Sequence, residues 1–80
     1  MRRIRKIQRE ESFRLRLIYD DGSVAVVDFQ DLIDREGIFT ALKEPKMFSD
    51  VRLVENGQSI QWPNELTLSA DALWLDAFGA

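Results

Sequence analysis

Phe13-Arg14-Leu15-Arg16-Leu17-Ile18-Tyr19 is followed by Asp20-Asp21-Gly22 and then by Ser23-Val24-Ala25-Val26-Val27-Asp28-Phe29. The first run alternates apolar and polar side chains almost strictly, the period of a half-buried strand. The second is rich in β-branched residues, which suit a pleated surface. Asp20-Asp21-Gly22 between them is turn chemistry, and Gly22 supplies the positive φ that a three-residue hairpin loop requires. That loop length sets Tyr19 opposite Ser23, Leu17 opposite Ala25, Leu15 opposite Val27 and Phe13 opposite Phe29. Directly opposed residues share a face, so these pairs make one apolar face. The same register sets Arg14 opposite Asp28. A two-residue loop would set Leu15 against Asp28, which is worse.

Upstream, Ile4 to Arg9 reads as an earlier strand joined through Glu10-Glu11-Ser12. In that register Ile7 meets Leu15, and Lys6 meets Arg16 on the opposite face. A like-charge pair of this kind is mildly unfavourable unless an anion answers it. Downstream, Asp28 to Arg35 reads as a short helix capped by Asp28 or Asp31, with Leu32 and Ile33 inward and Gly37 as its stop. Ile38-Phe39 and Leu42 are apolar anchors, and Pro45 to Phe48 is a further turn with proline at its first position. Asn56-Gly57 is the strongest short hairpin signal in the chain. It pairs Leu53 with Ile60 and Val51 with Trp62 on one face, and Val54 with Ser59 and Arg52 with Gln61 on the other. Pro63-Asn64 breaks the strand. Ser69 is an N-cap, followed by Ala70, Leu73, Trp74, Ala77 and Phe78 at helical spacing. The expected fold is α+β: a single small domain over residues 1–80. It has an antiparallel sheet of about five strands, a three-stranded N-terminal meander plus a second hairpin, with short helices on one face.

Eighty residues make one modest core, burying about 60% of the surface that the unfolded chain exposes. The hydrophobic fraction of 45% and charged fraction of 31% are those of a soluble globular protein. Cysteine is absent, so there is no disulfide, thiolate nucleophile or zinc-thiolate site. Histidine is absent as well, which removes the commonest general base and metal ligand. No apolar run spans a membrane. Met1-Arg2-Arg3 is basic like the start of a signal peptide, yet no apolar segment follows it. Charge is uneven. Residues 1–16 hold seven basic and two acidic side chains, whereas the remainder holds four basic and twelve acidic. Such polarity can mark a nucleic-acid or acidic-protein contact, but the simpler reading is two halves that neutralise each other in the fold. A pI of 4.8 counts against a dedicated DNA-binding domain.

No residue set points to catalysis, a cofactor or a metal. The acids Asp28, Asp31, Asp34 and Glu36 fit no calcium loop, and acids in a first helical turn are favoured by its dipole. Asp20-Asp21 is explained by its turn. The four glycines are scattered and form no phosphate loop. Lys6, Lys43 and Lys46 lie in polar surroundings, unlike a catalytic lysine. Two features suit partner binding instead. One is a basic face formed by Lys6, Arg14 and Arg16. The other is the terminal helix, where Trp74 and Leu75 flank the inward stripe and leave apolar surface for a partner.

Several segments carry a family resemblance: Asp21-Gly22-Ser23 with Val27-Asp28-Phe29, then Gly37-Ile38-Phe39 with Leu42, and Phe48-Ser49-Asp50-Val51. The most specific is Ile60-Gln61-Trp62-Pro63-Asn64 followed by Leu68-Ser69-Ala70-Asp71-Ala72-Leu73-Trp74. In this order they resemble the bacterial family called domain of unknown function 2442. Two positions depart from its pattern. Glu65 stands where glycine is common, which implies a rebuilt turn, and Ala70 stands where proline is common, which implies a looser helix start. The resemblance implies a small stand-alone α+β protein of the bacterial cytoplasm without established catalytic residues. It also implies a neighbouring small protein as partner, for which a toxin–antitoxin role has been proposed. The expected function is a non-catalytic protein-binding module, antitoxin-like in its most concrete form, with a homo-oligomer as a further option. The alternative is a nucleic-acid-binding or regulatory adaptor using the basic N-terminal hairpin.

Overall fold

Residues 2–35 and 37–79 are described by a computed structural model of the chain. The N-terminal meander consists of β1 (Ile4–Arg9), β2 (Arg14–Tyr19) and β3 (Val24–Asp28), paired antiparallel in that order. The β2–β3 register is the one the three-residue loop dictates: Leu15 faces Val27, Leu17 faces Ala25, and Arg14 faces Asp28. The Tyr19 N–H donates to the Ser23 carbonyl at 2.8 Å, and Gly22 has φ of 89°. Leu15, Leu17, Tyr19, Ala25, Val27 and Phe29 are all buried.

The β1–β2 register differs from the sequence expectation by two residues. Ile7 faces Leu17 rather than Leu15, Lys6 faces Ile18, and Arg16 faces Gln8. The cause is the turn. Ser12 takes a left-handed conformation with φ of 60° and the Glu10 N–H donates to the Arg14 carbonyl at 3.0 Å, so the three-residue loop moves one position on, from residues 10–12 to residues 11–13. This register separates Lys6 from Arg16 and brings Glu10 within 3.6 Å of the Arg16 guanidinium. A shift of two preserves the face of every side chain, so Lys6, Arg14 and Arg16 still project away from the core. A bulge between Ile4 and Lys6 sets Ile4 opposite Tyr19, buried.

Helix α1 (Gln30–Asp34) is a single turn. The Gln30 N–H donates to Asp28 Oδ1 at 2.9 Å, and Ile33 is buried. Gly37, with φ of 134°, starts a 3₁₀ segment, Ile38–Lys43, that buries Leu42. Helix α2 (Pro45–Ser49) begins on its proline and buries Phe48. Glu36, and with it one member of the acidic series, lies outside the described residues, as does the side chain of Ile38.

Strands β4 (Arg52–Val54), β5 (Ser59–Gln61) and β6 (Thr67–Ser69) form a second antiparallel sheet. Among the described residues the strands number six in two sheets, because the chain after Pro63 turns back to pair with β5. Leu53 faces Ile60, Val54 faces Ser59 and Arg52 faces Gln61, as the Asn56-Gly57 turn implies. Asn56 and Gly57 both have positive φ, 59° and 87°, the requirement of this hairpin turn. Gly57 is also pressed on the backbone of Ile4, where a Cβ would collide with the Ile4 carbonyl oxygen. The two sheets therefore meet by packing at this glycine and not by a shared ladder. At the next turn, the Glu65 N–H donates to the Trp62 carbonyl at 2.9 Å and Glu65 has φ of 70°. The turn is kept, with glutamate in the left-handed conformation that glycine adopts at no steric cost.

Helix α3 (Ala70–Phe78) is capped by Ser69, whose Oγ accepts from the Ala72 N–H at 3.1 Å. Ala70 anchors the helix start rather than loosening it. It is fully buried, and its N–H donates to the Gln58 carbonyl at 2.8 Å, a bond that proline could not make. The helix packs against β3 and β6. Trp62, Phe29 and Phe48 form the centre of the core, with ring centroids 5.6–6.2 Å apart.

Candidate interaction surfaces

The outer face of the first sheet is built in rows. Lys6, Ile18 and Val24 form one row, Gln8, Arg16 and Val26 the next, and Arg14 with Asp28 the third. Period-2 alternation puts these side chains outside because their neighbours fill the core. Two of the three cations are answered within the chain. Arg14 lies 3.6 Å from Asp28, and Arg16 lies 3.6 Å from Glu10. Both pairs are half-exposed, so each contributes well under about 1 kcal/mol. Lys6 has no ion-pair partner among the described residues.

The α3 surface has a different character. Trp74 is half-buried, its ring edge-on to Tyr19 at 5.2 Å and tilted against Phe78 at 4.4 Å. The Arg2 guanidinium lies 3.8 Å above the Trp74 ring, and the Arg2 N–H donates to Asp71 Oδ1 at 3.0 Å. Leu75 and Phe78 are each 54% exposed. Tyr19 is buried on the core face and donates its hydroxyl to the Ala70 carbonyl at 2.9 Å. Burial pushes the Tyr19 phenol up to about 12.

The two anticipated groups are not brought together. Lys6, Arg14 and Arg16 lie on the solvent side of the first sheet, whereas Trp74 contacts Tyr19 from the core side. Leu75 faces solvent on α3. Three further exposed or covering groups escaped the sequence reading. Phe78, at helical spacing with Ala70, Leu73, Trp74 and Ala77, is nonetheless exposed. Val24 and Val26 are 43% and 47% exposed; the hairpin register, which turns Ala25 and Val27 inward, carried the signal for both. Arg2 covering Trp74 depends on a contact 72 positions away that no local pattern encodes.

One shallow groove, of about 280 Å³, is lined by Glu44, Lys46, Met47, Asp50 and Pro63. Lys46 and Asp50 pair across one helical turn there at 3.3 Å, and no nucleophile and base converge on it. Among the described residues, no three carboxylates cluster as a metal site would require, and no helix is long and apolar enough to cross a membrane.

No curated protein and no solved structure matches the chain. A family model described as "Protein of unknown function (DUF2442)" matches residues 4–79, nearly the full length, and the chain belongs to that family.

Proposed function

We propose that the chain is a non-catalytic protein-binding module of the bacterial cytoplasm, most concretely the antitoxin-like half of a pair of small proteins. The carrying observation is the surface of α3. Leu75 and Phe78 each leave about half their area in water beside the half-buried Trp74. Apolar side chains grouped in this way around an aromatic are the usual centre of a protein interface. The nucleic-acid alternative is weaker, because Arg14 and Arg16 already have carboxylate partners.

The test is copurification of the tagged full chain from its native cells, in parallel with Leu75→Asp. A small protein retained in stoichiometric amount by the parent and lost by the variant supports the reading. Equal retention by both removes α3 as the binding surface. Salt separates the alternatives: nucleic-acid association falls steeply with ionic strength through counterion release, whereas an apolar contact at α3 does not.

A further inference from the structure

Strand β3, against which α3 packs, is also the edge of the first sheet. Hydrogen bonds from Tyr19 to Ser23 and from Phe29 to Phe13 fix which backbone groups face β2. The bonded pairs alternate along the ladder, so Ala25 and Val27 bond inward. The N–H and C=O groups of Val24, Val26 and Asp28 point outward. Among the described residues, none of these six groups has a hydrogen-bond partner. The side chains beside this edge are the exposed Val24 and Val26. An uncharged β-branched edge with open backbone groups is a template for another strand.

We propose that β3 pairs antiparallel with β3 of a second copy about a two-fold axis, joining two meanders into one six-stranded sheet. The sequence is self-complementary in the register that puts Ala25 on the axis. Val24 then lies opposite the second copy's Val26, and Val26 opposite its Val24. Both are positions whose backbone points outward, so each pair exchanges two N–H···O bonds. The four valines close over one another on the outer face, between Ile18 of one copy and Arg16 of the other. Across the seam valine meets only valine; Arg16 and Lys6 lie further along the same rows, and Asp28 sits beyond them, held by Arg14. A single strand pair buries less than the ~1,000 Å² of a stable interface, so the dimer is weak and forms at high concentration, about 1 mM.

The test is sedimentation equilibrium of the full chain over a concentration series up to that level, with Val24→Lys/Val26→Lys in parallel. The parent is expected to rise from 9.3 kDa toward twice that mass, and the variant to stay at the monomer value with an unchanged circular dichroism spectrum. Both positions are already solvent-exposed, so the fold tolerates lysine there. A parent that remains monomeric at the highest concentration overturns the proposal, as does a variant that dimerises equally. The chain has no cysteine of its own, so cross-linking reads the register. A mixture of Val24→Cys and Val26→Cys chains should form disulfide dimers faster than either alone, and faster linking of Val26→Cys with itself overturns the pairing. Leu75→Asp leaves this association intact, which separates it from the α3 contact.

Discussion

Trp62 and Trp74 are the two largest side chains of the molecule, and the structure treats them in opposite ways. Trp62 is 1% exposed, encircled by Phe29 and Phe48, and its indole N–H donates to the Phe48 carbonyl at 3.2 Å. Trp74 is half-buried at the rim, held edge-on to Tyr19 and covered by the Arg2 guanidinium. A buried indole whose N–H is bonded serves the fold alone. A rim indole covered by a flexible cation keeps most of its binding capacity, because the arginine can move aside. The contrast separates an aromatic cluster closed to water from one that borders it, and four substitutions rank the contributions around it.

Trp62→Ala should have the largest effect, about 3–5 kcal/mol. That is a large share of a small domain's stability, so the variant should lack a cooperative thermal transition. If it melts like its parent, Trp62 is not the centre of the core. Gly57→Ala comes next, at about 1–3 kcal/mol. It combines a left-handed backbone with a Cβ pressed on Ile4, and urea unfolding should show a lowered midpoint with little change in slope. Trp74→Ala should cost about 1–2 kcal/mol, clearly less than Trp62→Ala; equal losses would erase the distinction between the two clusters.

Tyr19→Phe sharpens the comparison from between the clusters, because its ring packs with Trp74 while its hydroxyl bonds to Ala70. The loss should be about 1 kcal/mol. The phenol also gives a pH signature. Its value in the folded chain, about 12, lies above the ordinary tyrosine value of 10.0. The protonated form is therefore favoured by folding, and stability is complete below about pH 10 and lost as pH rises from there toward 12. Thermal melts over this window should fall more steeply for the parent than for Tyr19→Phe; identical slopes would detach the phenol from the fold.

The pattern of what could be read in advance follows from how local each determinant is. The β2–β3 and β4–β5 registers were legible because Gly22 and Asn56-Gly57 fix the loop length and the flanking residues alternate. The β1–β2 register was not, because Glu11-Ser12 contains no glycine and Ser12 enters the left-handed region without a compositional signal. Strand β6 has three residues, too few for a period to show. The Ser69 cap and the helix after it were plain from side-chain chemistry. At the surface, the outward direction of Lys6, Arg14 and Arg16 followed from parity alone. Their partners did not: Glu10 reaches Arg16 only in the shifted register. Arg2 over Trp74 required tertiary structure.

The fold is sewn shut by its two ends. Arg2 bonds to Asp71, Tyr19 to Ala70, and Gly57 rests on Ile4, so the first hairpin, already paired within itself, is locked to the rest by residues made late in synthesis. Contacts this distant in sequence form late, because the loop-closure entropy is lost before they form. While the later residues are still being added, the emerging meander presents Leu15, Leu17 and Val27 to water with nothing to cover them. The nascent chain is therefore most prone to aggregation in the interval between the completion of β3 and the arrival of α3.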